Sequence, residues 1–153
     1  MVAPLTEDIA VRMNGTDLIQ VLLNLTVNAF QCGLQSHSVN IEVRILGQSL
    51  NLAEFKDGPQ ERLLNVENFD NCAPLLMLSV IDTGPGIAPE ILPKIFQPYF
   101  STKTSRNGTG LGLNIVQRLV KEAHGVLHVR TEIGRGSIFT VYLPALRLPA
   151  PST

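Results

Sequence analysis

Along the chain, the segment Ile9-Ala10-Val11-Arg12-Met13 alternates apolar and polar side chains, the period-2 signature of a short strand. Asn14-Gly15-Thr16 then turns the chain, with Thr16 or Asp17 placed to cap a helix. From Asp17 to about Gly33, the residues Leu18, Val21, Leu22, Leu25 and Ala29 recur at helical spacing. Val39 to Ile45 alternates strictly and predicts a second strand. Leu75 to Ile81 is almost continuously apolar, as in a buried strand, and runs into the turn Asp82-Thr83-Gly84-Pro85-Gly86. Pro89 to Phe96 suits a short helix with Pro89 in its first turn, whereas Gln97 to Asn107 has no period and reads as a mobile loop.

Gly108-Thr109-Gly110-Leu111-Gly112-Leu113 feeds a helix reaching about Ala123, with Ile115, Val116, Leu119 and Val120 as its apolar stripe. Val126 to Thr131 and Ser137 to Leu143 close the pattern as two strands around Gly134-Arg135-Gly136. Residues 47–74 are polar and irregular, too long for a featureless loop, and predict an insertion holding a hairpin or short helix. The order β-α-β, insertion, β, α, loop, α, β-β predicts an α+β domain over residues 1–144, a two-layer α/β sandwich with helices on one sheet face. Residues 145–153, rich in Pro and Ala, read as a linker or disordered tail.

Composition narrows the class without naming a function. The 153 residues are 44% apolar, enough for one core and against disorder. A net charge of -1 carries no electrostatic footprint for nucleic acid or anionic lipid. No apolar run approaches the ~20 residues that span a bilayer, and Asp and Glu interrupt the start before any signal-like segment forms. Cys32 and Cys72 lack metal-ligand spacing and are expected as free thiols in a reducing, cytoplasmic setting.

Four stretches carry candidate chemistry. Gln20, Asn24 and Asn28 share one helix face at i, i+4, i+8; that face is either simply solvated, or Asn28 offers its amide oxygen to Mg²⁺, which prefers oxygen ligands. Asp82, ending a buried strand, either caps the Gly-Pro-Gly turn or accepts a hydrogen bond from an adenine amine, an arrangement that would repel the carbonyl of guanine. Gly84 and Gly86 allow backbone to approach a base. The glycines 108, 110 and 112 open a helix whose amides suit phosphate, yet no Gly-Lys-Ser/Thr follows and no strand precedes, so this is neither a Walker A loop nor a dinucleotide fingerprint. Phe96 to Lys103 supplies aromatics to hinge a lid, and Lys103 is either solvated or reaches a terminal phosphate.

Taken in order, Asn24 to Ala29, Asp82 to Ile87, Phe96 to Lys103 and Gly108 to Leu113 resemble the N, G1, F and G2 boxes of sensor histidine kinases. With Gly134 to Phe139, the likeness to their catalytic, ATP-binding domain runs from about Leu5 to Leu143. The resemblance implies a Bergerat fold: a mixed sheet, helices on one face, and an ATP lid from about Pro89 to Asn107. It implies ATP and Mg²⁺ as cofactors, with Asn28 on the metal and Asn24 supporting the polyphosphate or metal shell. Asp82 would read adenine within a pocket shaped by Gly84, Gly86 and Ile87. Phe100, Thr102, Lys103, Gly108, Thr109, Gly110, Leu111, Gly112 and Leu113 would surround the phosphates, and Ser137 would stand where many members place Thr beside the base. Asn24, Asn28 and Lys103 are the residues expected to act on the transferred phosphate.

Two departures stand out. Gln31 occupies a position that is basic in many members, and the 47–74 insertion is longer than usual. His37, His124 and His128 are followed by Ser, Gly and Val, not by the acidic residue typical after a phosphoacceptor, so structural or surface roles are expected for all three. The resemblance thus implies a monomeric fragment that is cytoplasmic, or the cytoplasmic portion of a larger sensor, with a histidine-bearing dimerisation domain as phosphate acceptor and a response-regulator receiver downstream. Two other readings stay open. A hydrolytic ATPase would carry Glu where Asn24 stands, and a nucleotide-sensing or docking module would bind without transfer.

Overall fold

The computed structural model describes residues 8–33, 35–100 and 112–149. Its first strand, β1 (Ile9–Val11), leads into helix α1 (Gly15–Gln31). The cap is Asn14, not Thr16 or Asp17: extended backbone there lets its Oδ1 accept from the Asp17 amide at 2.8 Å, satisfying one orphan donor of the first turn. Strands β2 (Val39–Leu46), β3 (Glu61–Leu64), β4 (Leu75–Asp82), β5 (Val126–Glu132) and β6 (Gly136–Arg147) form the main sheet in the order β2-β4-β6-β5-β3, and helix α2 (Gly112–Glu122) precedes β5. A mixed sheet was expected; every strand pairing among the described residues is antiparallel.

The core lies between this sheet and the two helices. Val21, Leu25 and Ala29 of α1 and Val116, Leu119 and Val120 of α2 pack on Leu76, Val80, Leu127, Val129, Phe139, Val141 and Leu143. Strand alternation places all those sheet residues on one face. The polar helix face is turned inward as well: Gln20, Asn24 and Asn28 are half-buried, while Ile19, Leu23, Val27 and Phe30 lie on the exposed side.

Residues 47–74 wrap the sheet. After β2, at one edge, the chain makes a 3₁₀ turn at Leu52–Glu54 and reaches the opposite edge as β3, which pairs with β5. On the way Phe55 stacks edge-on against His128 (centroids 4.9 Å apart) and Tyr142 (6.0 Å), on the face away from the helices. A second 3₁₀ turn, Val66–Asn68, follows, and the Asp70 amide donates to the carbonyl of His124 at the end of α2. Asn71 ties the two ends of the insertion by accepting from the Leu50 amide and donating to its carbonyl, both at 2.8 Å. The expected hairpin or short helix is therefore a sheet strand flanked by two 3₁₀ turns.

Two further expectations are corrected. Pro89 to Phe96 is a 3₁₀ turn at Leu92–Lys94 set among turns, because Pro93 lacks the amide that a helix begun at Pro89 needs in its second turn; Leu92, Ile95 and Phe96 nonetheless bury into the core. The stretch assigned to the tail begins as strand, since Ala145, Leu146 and Arg147 of β6 pair with Val11, Ala10 and Ile9, and the Leu148 amide donates to Asp8.

The insertion is also held by charge. Glu61 Oε1 accepts from His128 Nε2 at 2.8 Å and from the Lys56 amide at 3.2 Å. Burial alone would push this carboxyl up, but those two hydrogen bonds, with the charges of His128 and Arg130, hold it below the usual carboxylate range. A depressed carboxyl contributes stability that is present above its unfolded value and is lost as pH falls through the folded one. At neutral pH, Glu61→Gln is expected to lower the thermal midpoint by about 2–4 °C, taking about 1 kcal/mol for a partly solvated charged hydrogen bond. That deficit should close in acid, where the wild-type carboxyl is itself protonated. A deficit that persists unchanged to the acid limb would show that packing, not charge, fastens the insertion.

Candidate functional site

Asp82 ends the central strand β4 and pairs on one side with Val39 and on the other with Ser137. Its side chain is 4% exposed and lies on the helix-facing side of the sheet. One carboxylate oxygen is already committed: Oδ1 accepts from the Gly84 amide at 2.9 Å and lies 3.6 Å from the thiol of Cys32. Among the described residues, Oδ2 takes no hydrogen bond. A carboxylate buried with one oxygen pinned and the other open is an acceptor awaiting a donor.

The turn after Asp82 is fastened on three sides. The Thr83 amide donates to the Ser38 carbonyl at 3.0 Å, and the Ser38 amide donates to Thr83 Oγ1 at 2.9 Å. The Ile87 amide donates to Thr131 Oγ1 at 2.8 Å, and the Gly134 amide to the Pro85 carbonyl at 2.9 Å. Gly86 has φ +77°, and a Cβ on it would collide with the Glu132 carbonyl, so no larger residue serves there. Thr131 Oγ1 in turn lies 2.9 Å from Ser137 Oγ, both side chains being buried. Ser137 is the register partner of Asp82 across β4 and β6.

Along α1 the site continues away from Asp82. Cys32, at the end of the helix, touches the carboxylate; Asn28 stands one turn back and Asn24 two turns back. Asn24 Nδ2 donates to the carbonyl of Gly112 at 3.3 Å, which docks the first residue of α2 against α1 and leaves the amide Oδ1 free to accept. The Asn28 amide makes no hydrogen bond among the described residues. From Cys32 to Asn24 is eight residues, about 12 Å along a helix. Ile87, Phe100 and Leu113 pack partly buried at the rim of the core near these elements, and Asn114 Nδ2 donates to the Phe96 carbonyl at 3.1 Å, holding the base of the expected lid to α2.

Of the residues singled out in the sequence, the structure brings Asp82, Gly84, Gly86, Ile87 and Ser137 together at one end, and Asn24 and Gly112 at the other. Thr102, Lys103, Gly108, Thr109, Gly110 and Leu111 lie outside the described residues. Three participants escaped the sequence reading. Thr131 was legible in principle, since the Gly134–Gly136 turn registers it opposite Ser137. Cys32 and His37 were not, because their approach to Asp82 depends on how the loop after α1 folds back.

The chain as a whole is similar to known proteins. Residues 13–147 match the family described as histidine kinase-, DNA gyrase B-, and HSP90-like ATPase. The sensor kinase CckA of Brucella abortus is 33% identical over 128 residues, covering 83% of this chain and 12% of that protein. The sensor histidine kinase ZraS of Klebsiella oxytoca is 36% identical over 127 residues, covering 83% of this chain and 22% of that protein. This chain thus spans under a quarter of the length of either relative. Among solved structures, full-length ShkA in complex with AMPPNP superposes with a TM-score of 0.61 at 29% identity, over 89% of this chain and 23% of that one. The catalytic domain of histidine kinase ThkA gives 0.59 at 26% identity, over 86% and 68%. The chain belongs to the histidine kinase-, DNA gyrase B- and HSP90-like ATPase family, and within it corresponds to the ATP-binding catalytic domain of sensor histidine kinases.

Proposed function

We propose that this domain holds ATP along α1, with adenine at Asp82 and the phosphates between Asn28, Asn24 and the start of α2, and delivers the γ-phosphoryl to a histidine on a separate domain. The observation that carries this reading is the open Oδ2 of buried Asp82 beside the C-terminal end of α1, with the Asn24–Gly112 junction two turns back along the same helix. Adenine's exocyclic amine supplies the donor Oδ2 lacks. The positive end of α2 would face the phosphates, and Lys103 and Thr102, outside the described residues, are the side chains the family resemblance assigns to contact them.

The residues present also fit Mg²⁺. Asn28 and Asn24 offer amide oxygens on one helix face, and Mg²⁺ is commonly held by one or two protein oxygens plus substrate phosphates and waters. Asn28 would hold the ion, which screens charge on the phosphates as they are transferred. Phosphoryl transfer then depends on positioning more than on covalent help from the protein. A histidine-bearing dimerisation domain and a response-regulator receiver are the partners this reading requires, and use of ATP suits the cytoplasm.

Calorimetry with a non-hydrolysable ATP analogue, with and without Mg²⁺, tests the metal assignment. Mg²⁺ should tighten binding to the wild type, and Asn28→Ala should flatten that dependence while sparing metal-free ADP binding. Identical Mg²⁺ titrations in the two proteins would place the ligand elsewhere.

A further inference from the structure

His37 lies outside every motif discussed above, yet it is half-buried against the adenine end of the site. Its Nε2 is 2.6 Å from the Ala29 carbonyl and its Nδ1 is 3.0 Å from the Gln35 carbonyl. A carbonyl oxygen only accepts, and a neutral imidazole carries a single N–H. Both contacts are therefore satisfied together only by the doubly protonated ring. A neutral ring must abandon one of them, and if Nε2 is the bare nitrogen, its lone pair faces that of Ala29 at close range.

The Ala29 carbonyl belongs to the last turn of α1, where intrahelical partners run out and the dipole is negative. No basic residue stands in that turn, so the imidazolium supplies the missing cation. The same ring is 3.6 Å from Cys32 Sγ, and its Cδ2 would lie 3.8 Å from a Cβ on Gly84. Cys32 Sγ lies between the Ala29 carbonyl, 3.0 Å away, and Asp82 Oδ1, 3.6 Å away, and the Gly84 amide donates to that same Oδ1.

We propose that His37 is a positioning residue for nucleotide recognition: its imidazolium clamps the C-terminal turn of α1 to the loop before β2 and so holds Cys32, Gly84 and Asp82 in the arrangement that reads the base. The inference rests on the adenine assignment of Asp82 and adds a proton-dependent support to it. Among the described residues, the titratable groups facing His37 are the Asp82 carboxylate from β4 and the Cys32 thiol from the end of α1. The Gln35 and Ala29 carbonyls hold the imidazolium above the ordinary histidine value against a smaller opposing effect of burial, and Asp82 acts in the same direction. A raised cationic group contributes fully below its unfolded value, near 6.5, and that contribution is lost as pH rises through the folded one. Because losing the proton loosens the turn that frames the base, nucleotide affinity should decline as pH rises above the ordinary histidine value.

The test is ADP affinity by calorimetry from about pH 6 to about pH 9, without metal, in the wild type, His37→Gln, His37→Lys and Asp82→Asn. Taking the difference between profiles removes the titration of the nucleotide's own phosphate. The wild type should lose roughly three- to tenfold more affinity across that window than His37→Gln, while His37→Lys, still cationic, should hold its affinity. Parallel profiles for wild type and His37→Gln would overturn the proposal. In case His37→Gln fails to fold, the imidazole is titrated directly by NMR in the wild type and Asp82→Asn. The His37 midpoint should lie above about 6.5 and fall when the Asp82 charge is removed; a midpoint at or below that value, or one indifferent to Asp82, overturns it. Asp82→Asn binding ADP like the wild type would instead overturn the adenine assignment itself, whereas weakened Asp82→Asn with parallel histidine profiles defeats the His37 inference alone.

Discussion

Asp82→Asn is expected to weaken ADP and ATP by the same factor, roughly 10- to 150-fold, because both present the same base. That range follows from about 1.5–3 kcal/mol for a hydrogen bond to a charged acceptor. Asparagine is the informative substitution because it keeps the shape of the side chain in a nearly closed position. Its amide must then choose. If the oxygen continues to accept from Gly84, the NH₂ confronts the adenine amine, donor against donor; if the groups are reversed, the Gly84 amide loses its acceptor. Preference for ADP over GDP should collapse in the same variant, since a donor at this position suits the guanine carbonyl. A folded Asp82→Asn protein with wild-type ADP affinity and base preference would remove adenine from this end of α1.

How much of this could be read from the chain depended on whether the signal was local. Helices α1 and α2 and five of the six strands follow from hydrophobic pattern alone, and Asp82, Gly84, Gly86 and Ser137 come together because their motifs sit at strand ends that adjoin in the sheet. β3 was hidden: Glu61-Arg62-Leu63-Leu64 is too short and irregular to announce a strand, and it is one only because β5 presents an edge there. The last residues of β6 were hidden for the same reason, being extended by pairing with β1. On α1 the polar face was ambiguous, since Gln20, Asn24 and Asn28 have the spacing of a solvated stripe. Only the packing of α2, with Asn24 bonded to Gly112, shows that this face turns inward. His37 and Cys32 illustrate the limit most sharply. Neither lies in a recognisable motif, and their approach to Asp82 is created by a loop crossing that no periodicity encodes.

The second large effect concerns the fate of the γ-phosphate. Position 24 carries an amide whose nitrogen is spent on Gly112, and an amide has no useful basicity toward water. General-base assistance is commonly worth about 10²–10⁴ in rate, so the isolated chain should hydrolyse bound ATP very slowly. Asn24→Glu is expected to raise hydrolysis within that range, while its added negative charge beside the phosphates weakens ATP binding. None of the three histidines offers a family-like acceptor context: His37 is engaged with two carbonyls, His124 lies 3.3 Å from the Asn68 carbonyl, and His128 is paired with Glu61. The chain should therefore label itself negligibly.

The most direct measurement follows γ-labelled ATP over time with this chain alone and with a histidine-bearing dimerisation domain from the same sensor added in trans. The expected result is bound but nearly unreacted ATP in the first case. In the second, acid-labile label should appear on the added domain's histidine, weakly, because the effective concentration that a covalent link provides is absent. Robust release of labelled phosphate by the wild-type chain alone, with no transfer to the added domain, would contradict the account and place the protein among the hydrolytic members of its family.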